Sequence, residues 1–181
     1  MKISLKTKIA FWWWQKSQYK KPEDTIQKIS SLGEGLRSLL IIFPKGNNQL
    51  PLAQHFIKSL VSRGQFNAIN KIICWQEQKD SIDEQLLQRV KFISDGDVNK
   101  YGLMTEEAIK KFSSGQFNCV INLDPIFNPV SYQLVSSFNS IIRIGFNSEN
   151  GTNIYNIIID KKGKTNYIER GYEYLLEILG L

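Results

Sequence analysis

The sequence contains one histidine and two cysteines among its 181 residues, and these small numbers exclude several kinds of chemistry. His55 lies in a predicted surface helix with no obvious serine or cysteine nucleophile to serve, so a hydrolytic triad is not expected. Cys74 and Cys119 each lie in a run of strand-forming residues, and two cysteines without a partner histidine cannot build a typical structural zinc site. We interpret both as small core residues of a protein in a reducing compartment.

Long apolar runs are also missing. No stretch reaches the ~20 apolar residues that a helix needs to cross a bilayer. The N-terminus is basic, but its apolar run, Ile9–Trp14, is short and no small-residue cleavage site follows it. We therefore expect no secretory signal peptide and predict a cytoplasmic protein. Asn150-Gly151-Thr152 matches a glycosylation sequon only formally, and Asp95-Gly96-Asp97 is typical of a turn, so we predict neither a metal nor a cofactor.

Negative charge is absent from the N-terminal segment, where the positive excess of the protein is found. The net charge is +6, from 23 basic and 17 acidic residues. Six of the basic residues lie within residues 1–21, namely Lys2, Lys6, Lys8, Lys16, Lys20 and Lys21. The other 17 basic residues balance the 17 acidic ones, so the rest of the protein is neutral. This distribution predicts a local contact with an anionic partner and argues against nucleic-acid binding.

The most unusual feature is a run of three tryptophans, Trp12, Trp13 and Trp14, flanked by lysines. Residues 4–16 are predicted to form a helix on which Leu5, Ile9, Trp12 and Trp13 fall within about 100° of one another. Two interpretations are open. The tryptophans can anchor the helix peripherally in a membrane, with Lys2, Lys6, Lys8 and Lys16 at anionic headgroups, or they can pack on the sheet or a partner chain.

From residue 38 onward, short apolar runs alternate with helical segments. Strands are predicted at Ser38–Phe43, Ala68–Trp75, Arg89–Ser94, Asn118–Leu123, Ser140–Phe146 and Asn153–Asp160. Helices are predicted at Pro22–Leu36, Leu52–Arg63, Pro129–Ser137 and Asn166–Leu179, and another begins at Thr105. Strands that are apolar on both faces indicate parallel pairing under helices on both sides. We predict a doubly wound, mostly parallel, Rossmann-like α/β domain at 37–181, with a helical, basic, Trp-rich extension at 1–36.

In such a sheet, ligands bind where the strands end and loops lead into helices. Three loops of this kind carry the candidate binding residues, which are Lys45, Gly46, Asn47 and Asn48 in the first, Asn122 and Asp124 in the second, and Gly145 and Asn147 in the third. Gly46 or Gly145 permits close backbone approach, Lys45 attracts an anion, and Asp124 can bind a hydroxyl or act as a base. The same residues also suit ordinary turns, and no catalytic residue is predicted.

The order of features at 116–146 resembles a known family. QFNCVINLD, a helix containing SYQLVSS, and SIIRIGF are similar to the lipopolysaccharide heptosyltransferases of glycosyltransferase family 9, and SLLIIFPKGNNQLPLAQHFIKSLVSRGQF resembles their first strand, loop and helix. The resemblance covers roughly 38–160 and implies the acceptor-side domain of a two-domain GT-B enzyme. The donor-binding half is missing, and the position of the family's loop acid falls on or near Asn47, which cannot accept a proton.

These departures favour a glycosyltransferase-like domain that is not catalytic alone. The resemblance implies a role at the cytoplasmic face in envelope polysaccharide or lipopolysaccharide assembly, beside a partner protein that supplies a donor domain. The alternative is a scaffold or binding protein whose N-terminal helix docks on a membrane or a partner and which has no sugar site.

Overall fold

The computed structural model describes residues 3–18, 38–46, 48–148, 153–160 and 168–180. The strands in these residues are β1 (Leu39–Ile42), β2 (Ile69–Trp75), β3 (Val90–Ile93), β4 (Cys119–Asn122), β5 (Ile142–Phe146) and β6 (Ile157–Ile159). Within the described residues these six strands form one sheet in the order β3-β2-β1-β4-β5-β6. Every neighbouring pair is parallel.

The α-helices of the described residues are α1 (Leu5–Gln18), α2 (Leu50–Ser62), α3 (Glu106–Phe112), α4 (Pro129–Ser137) and α5 (Ile168–Ile178). Short 3-10 turns occupy Gln65–Ala68, Gln76–Ser81, Glu84–Arg89 and Asp95–Asp97. The helix predicted at Pro22–Leu36 lies outside the described residues. Helix α3 begins where expected, because Thr105 Oγ1 accepts a hydrogen bond from the Ala108 amide at 3.1 Å.

The two faces of the sheet are covered by different helices, as alternation of side chains along a strand requires. On β1, Leu39 and Ile41 belong to the core cluster shared with α2 and α5. Leu40 and Ile42 belong to the cluster shared with α1, α3 and α4. Both faces of this central strand are fully buried, which explains why its sequence is apolar throughout rather than alternating.

The doubly wound α/β fold predicted from the sequence is therefore confirmed, and the parallel pairing extends to every strand of the described sheet. Each predicted strand is present, and all six are shorter than predicted at one or both ends. The connection from β2 to β3 differs from the usual pattern, since two 3-10 turns replace a helix there. The charged segment Gln76–Gln88 has too few apolar residues at helical spacing to cover the sheet as an α-helix would.

Both cysteines are buried and unbonded in the core cluster that packs under α2 and α5. Burial raises the pKa of both the Cys74 and the Cys119 thiols far above the ordinary value, so both stay protonated. This agrees with their interpretation as core residues. Among the residues that the structure describes, no helix combines the length and the apolarity needed to cross a membrane.

Candidate functional site

A cleft lies at the point where the winding of the sheet reverses. The chain runs from β1 outward to β2 and β3, then returns to place β4 on the other side of β1. The loops that follow β1 and β4 consequently diverge, and a crevice opens between them at the carboxyl edge of the sheet. Here the crevice has a volume of about 510 Å³.

The cleft has polar groups from two loops and from the beginning of the chain, and a largely apolar wall. The polar lining residues are Ser4, Thr7, Lys45, Asn48, Gln49, Asp124 and Asn128. The apolar lining residues are Ile3, Val98, Ile126, Phe127, Pro129 and Val130. A wall of this composition can hold a small molecule that has both hydroxyl groups and an exposed carbon face.

Asp124 ties the two loops together at the base of the cleft. Its carboxylate accepts hydrogen bonds from the backbone amide of Lys45 at 3.1 Å and from that of Ile126 at 3.1 Å. The Asn128 side-chain amide donates to the same carboxylate at 3.4 Å. Asp124 is only 6% exposed, so these bonds compensate for the removal of its charge from water. The residue therefore sets the spacing of the loops as well as lining the cleft.

A second set of contacts joins β4 to the segment before β6. Asn122 Nδ2 donates to the Tyr155 hydroxyl at 2.7 Å, and Asn122 Oδ1 accepts from the Asp124 amide at 3.0 Å. Burial is the main cause that raises the pKa of the Tyr155 phenol well above its usual value, and the hydrogen bond from Asn122 opposes this rise. The phenol stays neutral and acts as a structural bridge.

The remaining predicted site residues lie in different places. Gly145 does not line the cleft, because the ring of Tyr155 covers it so closely that a Cβ there would lie 2.4 Å from a ring carbon. Asn147 pairs instead with the chain end of β6, since its Nδ2 donates to Asp160 Oδ1 at 3.2 Å. Gly46 and Asn48 line the cleft, and Gly46 has a φ of 118°, which glycine adopts easily. Asn47 lies outside the described residues.

Three residues at this edge were not singled out from the sequence. Gln78 is fully buried and fixes the end of β1, because its Nε2 donates to the Pro44 carbonyl at 2.9 Å and its Oε1 accepts from the Trp75 amide at 3.2 Å. Tyr155 covers Gly145, as described above. Asn128 caps α4 by accepting from the Val130 amide at 3.0 Å, and an asparagine directly before Pro129 was a readable signal for this cap.

The N-terminus of α2 is open toward the cleft. Asn128 caps α4 and Thr105 caps α3, but no described side chain caps α2, whose N-cap residue is Gln49. The amides of a first helical turn lack partners within the helix and carry a partial positive charge. Lys45 adds an exposed ammonium at the same place, with its Nζ 4.1 Å from the centre of the Trp75 ring. An ammonium group and helix amides therefore lie on the β1 side of the cleft.

The acidic Asp-x-Asp loop at 95–97 has structural partners. No cluster of three His, Cys, Asp or Glu side chains able to hold a metal occurs in the part of the chain that the structure describes. Asp97 accepts hydrogen bonds from the Ser94 amide and hydroxyl, both at 2.8 Å, and pairs with Lys111 at 2.9 Å. Burial alone would raise the pKa of Asp97, but these bonds from Ser94 and Lys111 outweigh it and hold the pKa below its usual value. The Asp-x-Asp loop is thus a capped turn.

Helix α1 forms part of the cleft wall and packs on the sheet through one side. Phe11 is 5% exposed and lies against Tyr132 of α4 with ring centres 5.0 Å apart. Trp14 is half-buried and stacks on Phe11 at 5.7 Å. Thr7 in the first turn of the same helix lines the cleft, together with Ile3 and Ser4, which directly precede the helix. Of the three tryptophans, Trp14 therefore packs internally.

The opposite side of α1 is exposed. We call the outer face of α1 the set of Leu5, Ile9, Trp12 and Trp13, which are 73%, 52%, 47% and 64% exposed. Lys6, Lys8 and Lys16 are also exposed on this helix, and Lys16 Nζ lies 4.1 Å from the centre of the Trp12 ring. Lys2 lies outside the described residues. The helix thus has one apolar side buried in the fold and another in solvent.

A second groove, of about 370 Å³, lies between α2 and the turns that follow β2. Its walls are mainly apolar, with Ile57, Val61, Phe66 and Leu86 among the lining residues. It lies off the switch point, and the loops that follow β1 and β4 do not converge on it. The cleft at the switch point is the better candidate for a binding site.

The fold and the position of the cleft define the class of the protein. The fold is that of a Rossmann-like α/β domain with a cleft at its switch point. A family model, described as a family of unknown function (DUF6913), matches residues 6–179, so the protein belongs to this family. No curated protein and no solved structure gives a significant match. The family description names no activity, and the resemblance to glycosyltransferases stays a prediction.

Proposed function

We propose that this protein is a ligand-binding domain that holds a small hydroxylated compound with an anionic group, such as a sugar phosphate, in the switch-point cleft. The observation that carries the proposal is the cleft itself. It lies where parallel α/β sheets bind ligands, between the loops that follow β1 and β4. Polar side chains from both loops and an apolar wall meet there.

The charge of the ligand follows from the groups that face the cleft. The Asp124 carboxylate, at the base of the cleft, already accepts hydrogen bonds from the backbone amides of Lys45 and Ile126, whereas the Lys45 ammonium is exposed. No described side chain caps the N-terminus of α2, so the amides of its first turn add donors on the same side. Together they favour an anionic oxygen near Lys45, with the rest of the ligand beside Asn48 and Asn128.

The narrower proposal is that the ligand is a sugar acceptor used in bacterial envelope polysaccharide or lipopolysaccharide assembly, with a partner protein supplying the donor domain. Its support is the heptosyltransferase resemblance of roughly residues 38–160. The described cleft adds no catalytic group to that picture, because Asp124 is engaged by backbone amides and Tyr155 is held neutral by burial. Binding without turnover is the activity that we expect from this chain alone.

The test is a titration of the isotope-labelled protein with glucose 6-phosphate, glucose and inorganic phosphate, followed by amide NMR shifts. We expect glucose 6-phosphate to shift the amide resonances of residues 45–49, 124 and 126–128. We expect K45A/N48A to weaken binding about 10- to 100-fold, as loss of a charge-assisted bond does. The control variant is Q76A/K79A, whose exposed side chains lie away from the cleft. The proposal is wrong if none of the three compounds shifts these resonances, or if K45A/N48A binds as tightly as the control.

A further inference from the structure

The exposed apolar stripe on α1 is unusual because the helix already packs on the protein through its other side. With about 100° between successive residues, Leu5, Ile9, Trp12 and Trp13 fall on one side of the helix, and Phe11 and Trp14 fall on the opposite side. The second pair is engaged with Tyr132. The outer face therefore has no role in holding the helix in place, and exposing two tryptophans to water is unfavourable.

Positive charge borders this stripe on both sides. By the same geometry, Lys6 and Lys8 lie about 80° to either side of the centre of the outer face. Lys16 lies within the stripe, with its ammonium over Trp12. No acidic residue occurs in the first 22 residues of the sequence. An apolar centre between basic edges is the arrangement of helices that lie in the surface of an anionic bilayer.

We propose that the outer face of α1 docks the protein peripherally on an anionic lipid bilayer. The indoles of Trp12 and Trp13 enter the interfacial layer, where an aromatic ring with a polar N–H is favoured, and the lysines contact anionic headgroups. A second copy of the chain is a poor occupant, because it would bring the same positive charges and no acid against them. The outer face is a stripe along one helix, and a helix with such a stripe can lie in the plane of a bilayer surface.

This docking does not depend on a ligand in the cleft. The cleft is lined by Thr7, on the side of α1 that faces the protein, and by Ile3 and Ser4, which directly precede the helix. The side chains proposed to contact lipid are on the other side. The experiments on the two sites can therefore succeed or fail separately.

The experiment is co-sedimentation of the full chain with vesicles of phosphatidylcholine alone or of phosphatidylcholine mixed with phosphatidylglycerol. We expect binding to the mixed vesicles and a blue shift of tryptophan fluorescence. Binding should weaken between about 0.1 M and about 1 M salt, where the Debye length falls from about 10 Å to about 3 Å.

Two variants separate the apolar and the ionic contributions. W12A/W13A removes the exposed parts of two indoles, which together equal about one whole apolar side chain. The loss of this area should lower the partition coefficient about 25-fold. K6Q/K8Q/K16Q should lower it about 100-fold, at about fivefold for each lysine. The matched controls alter exposed groups elsewhere on the surface, I158A/Y174A for the first variant and K58Q/K79Q/K110Q for the second. They should bind as the unaltered protein does.

Three outcomes would overturn the proposal. In the first, the full chain stays in the supernatant with both kinds of vesicle. In the second, the controls lose as much binding as the two α1 variants, which would make the interaction a general property of the surface. In the third, the protein is a dimer in solution that W12A/W13A converts to a monomer, which would assign the outer face to a second copy of the chain.

Discussion

Replacing Gly145 with alanine places a methyl group against the ring of Tyr155. A Cβ at this position would lie 2.4 Å from two ring carbons and 2.7 Å from a third. Carbon atoms in contact are normally about 3.5–4.0 Å apart, so the ring must retreat by about 1 Å. That movement stretches the 2.7 Å bond between Asn122 and the Tyr155 hydroxyl beyond hydrogen-bonding range. The substitution therefore disturbs both the packing and the polar network beneath the cleft.

The expected cost follows from these two effects. Overpacking of this kind costs about 1–3 kcal/mol, and a buried polar group that loses its partner costs about 1–3 kcal/mol more. Alanine recovers about 0.5–1 kcal/mol relative to glycine through the entropy of the unfolded chain. We expect G145A to lower the free energy of unfolding by about 2–4 kcal/mol. For a protein of this size, each kcal/mol corresponds to about 2–4 °C in Tm.

The assay is urea unfolding followed by circular dichroism, with G96A as the matched control. A Cβ on Gly96 would meet nothing closer than Ser94 Oγ at 3.9 Å, so we expect a change within about 0.5 kcal/mol. Removing the ring by Y155A should abolish the penalty, and the double variant should show a coupling energy of about 2–4 kcal/mol. If G145A is as stable as the unaltered protein, or if its cost is the same in the Y155A background, the close approach of the ring is refuted.

The remaining predictions concern two other buried polar groups. Because the pKa of Asp97 is lower in the folded than in the unfolded protein, its contribution to stability is present above about pH 4 and is lost as the pH falls through the lower value. D97N should therefore lower the free energy of unfolding by about 1–2 kcal/mol at neutral pH. Urea melts should show that this difference shrinks below about pH 4. D95N, at an exposed position, should show no such trend. If the loss of unfolding free energy in D97N stays constant with pH, the ionised Asp97 carboxylate is not the source of the stabilisation. Q78L removes the partners of the Trp75 amide and the Pro44 carbonyl, and it should cost about 2–5 kcal/mol in the same assay, whereas Q76L at an exposed position should cost little. An unchanged midpoint for Q78L would show that neither bond contributes.

The fold was readable from the sequence because its signals are local. Each strand is a short apolar run, and such runs alternate with helical segments, which restricts the arrangement to a parallel sheet covered on both faces. The helix start at Thr105 follows from capping chemistry, and that cap is present. The two 3-10 turns in the charged connection after β2 were harder to predict, because a 3-10 turn has no distinct periodicity in sequence.

The candidate site was only partly readable. Position at the end of a strand was enough to select Lys45, Asn122 and Asp124, which the structure brings together at one edge of the sheet. The roles of Tyr155 and Gln78 were missed. Tyr155 lies 33 residues from Asn122 and Gln78 lies 34 residues from Pro44, and no local pattern encodes such contacts. Gly145 has a reason for being glycine that only the packed structure gives, since the ring that covers it comes from another segment.

The position of β1 in the middle of the sheet has a consequence for synthesis of the chain. Leu39 pairs with Ile69 on one side and with Cys119 on the other, so the second partner follows 80 residues later. At about 5–20 residues per second, the ribosome adds those 80 residues in roughly 4–16 s. During that interval an apolar strand has an unpaired edge on the growing chain, and parallel pairing over such a distance is slow to form. The same central strand that positions the cleft therefore makes the nascent chain a candidate for chaperone protection until β4 has emerged.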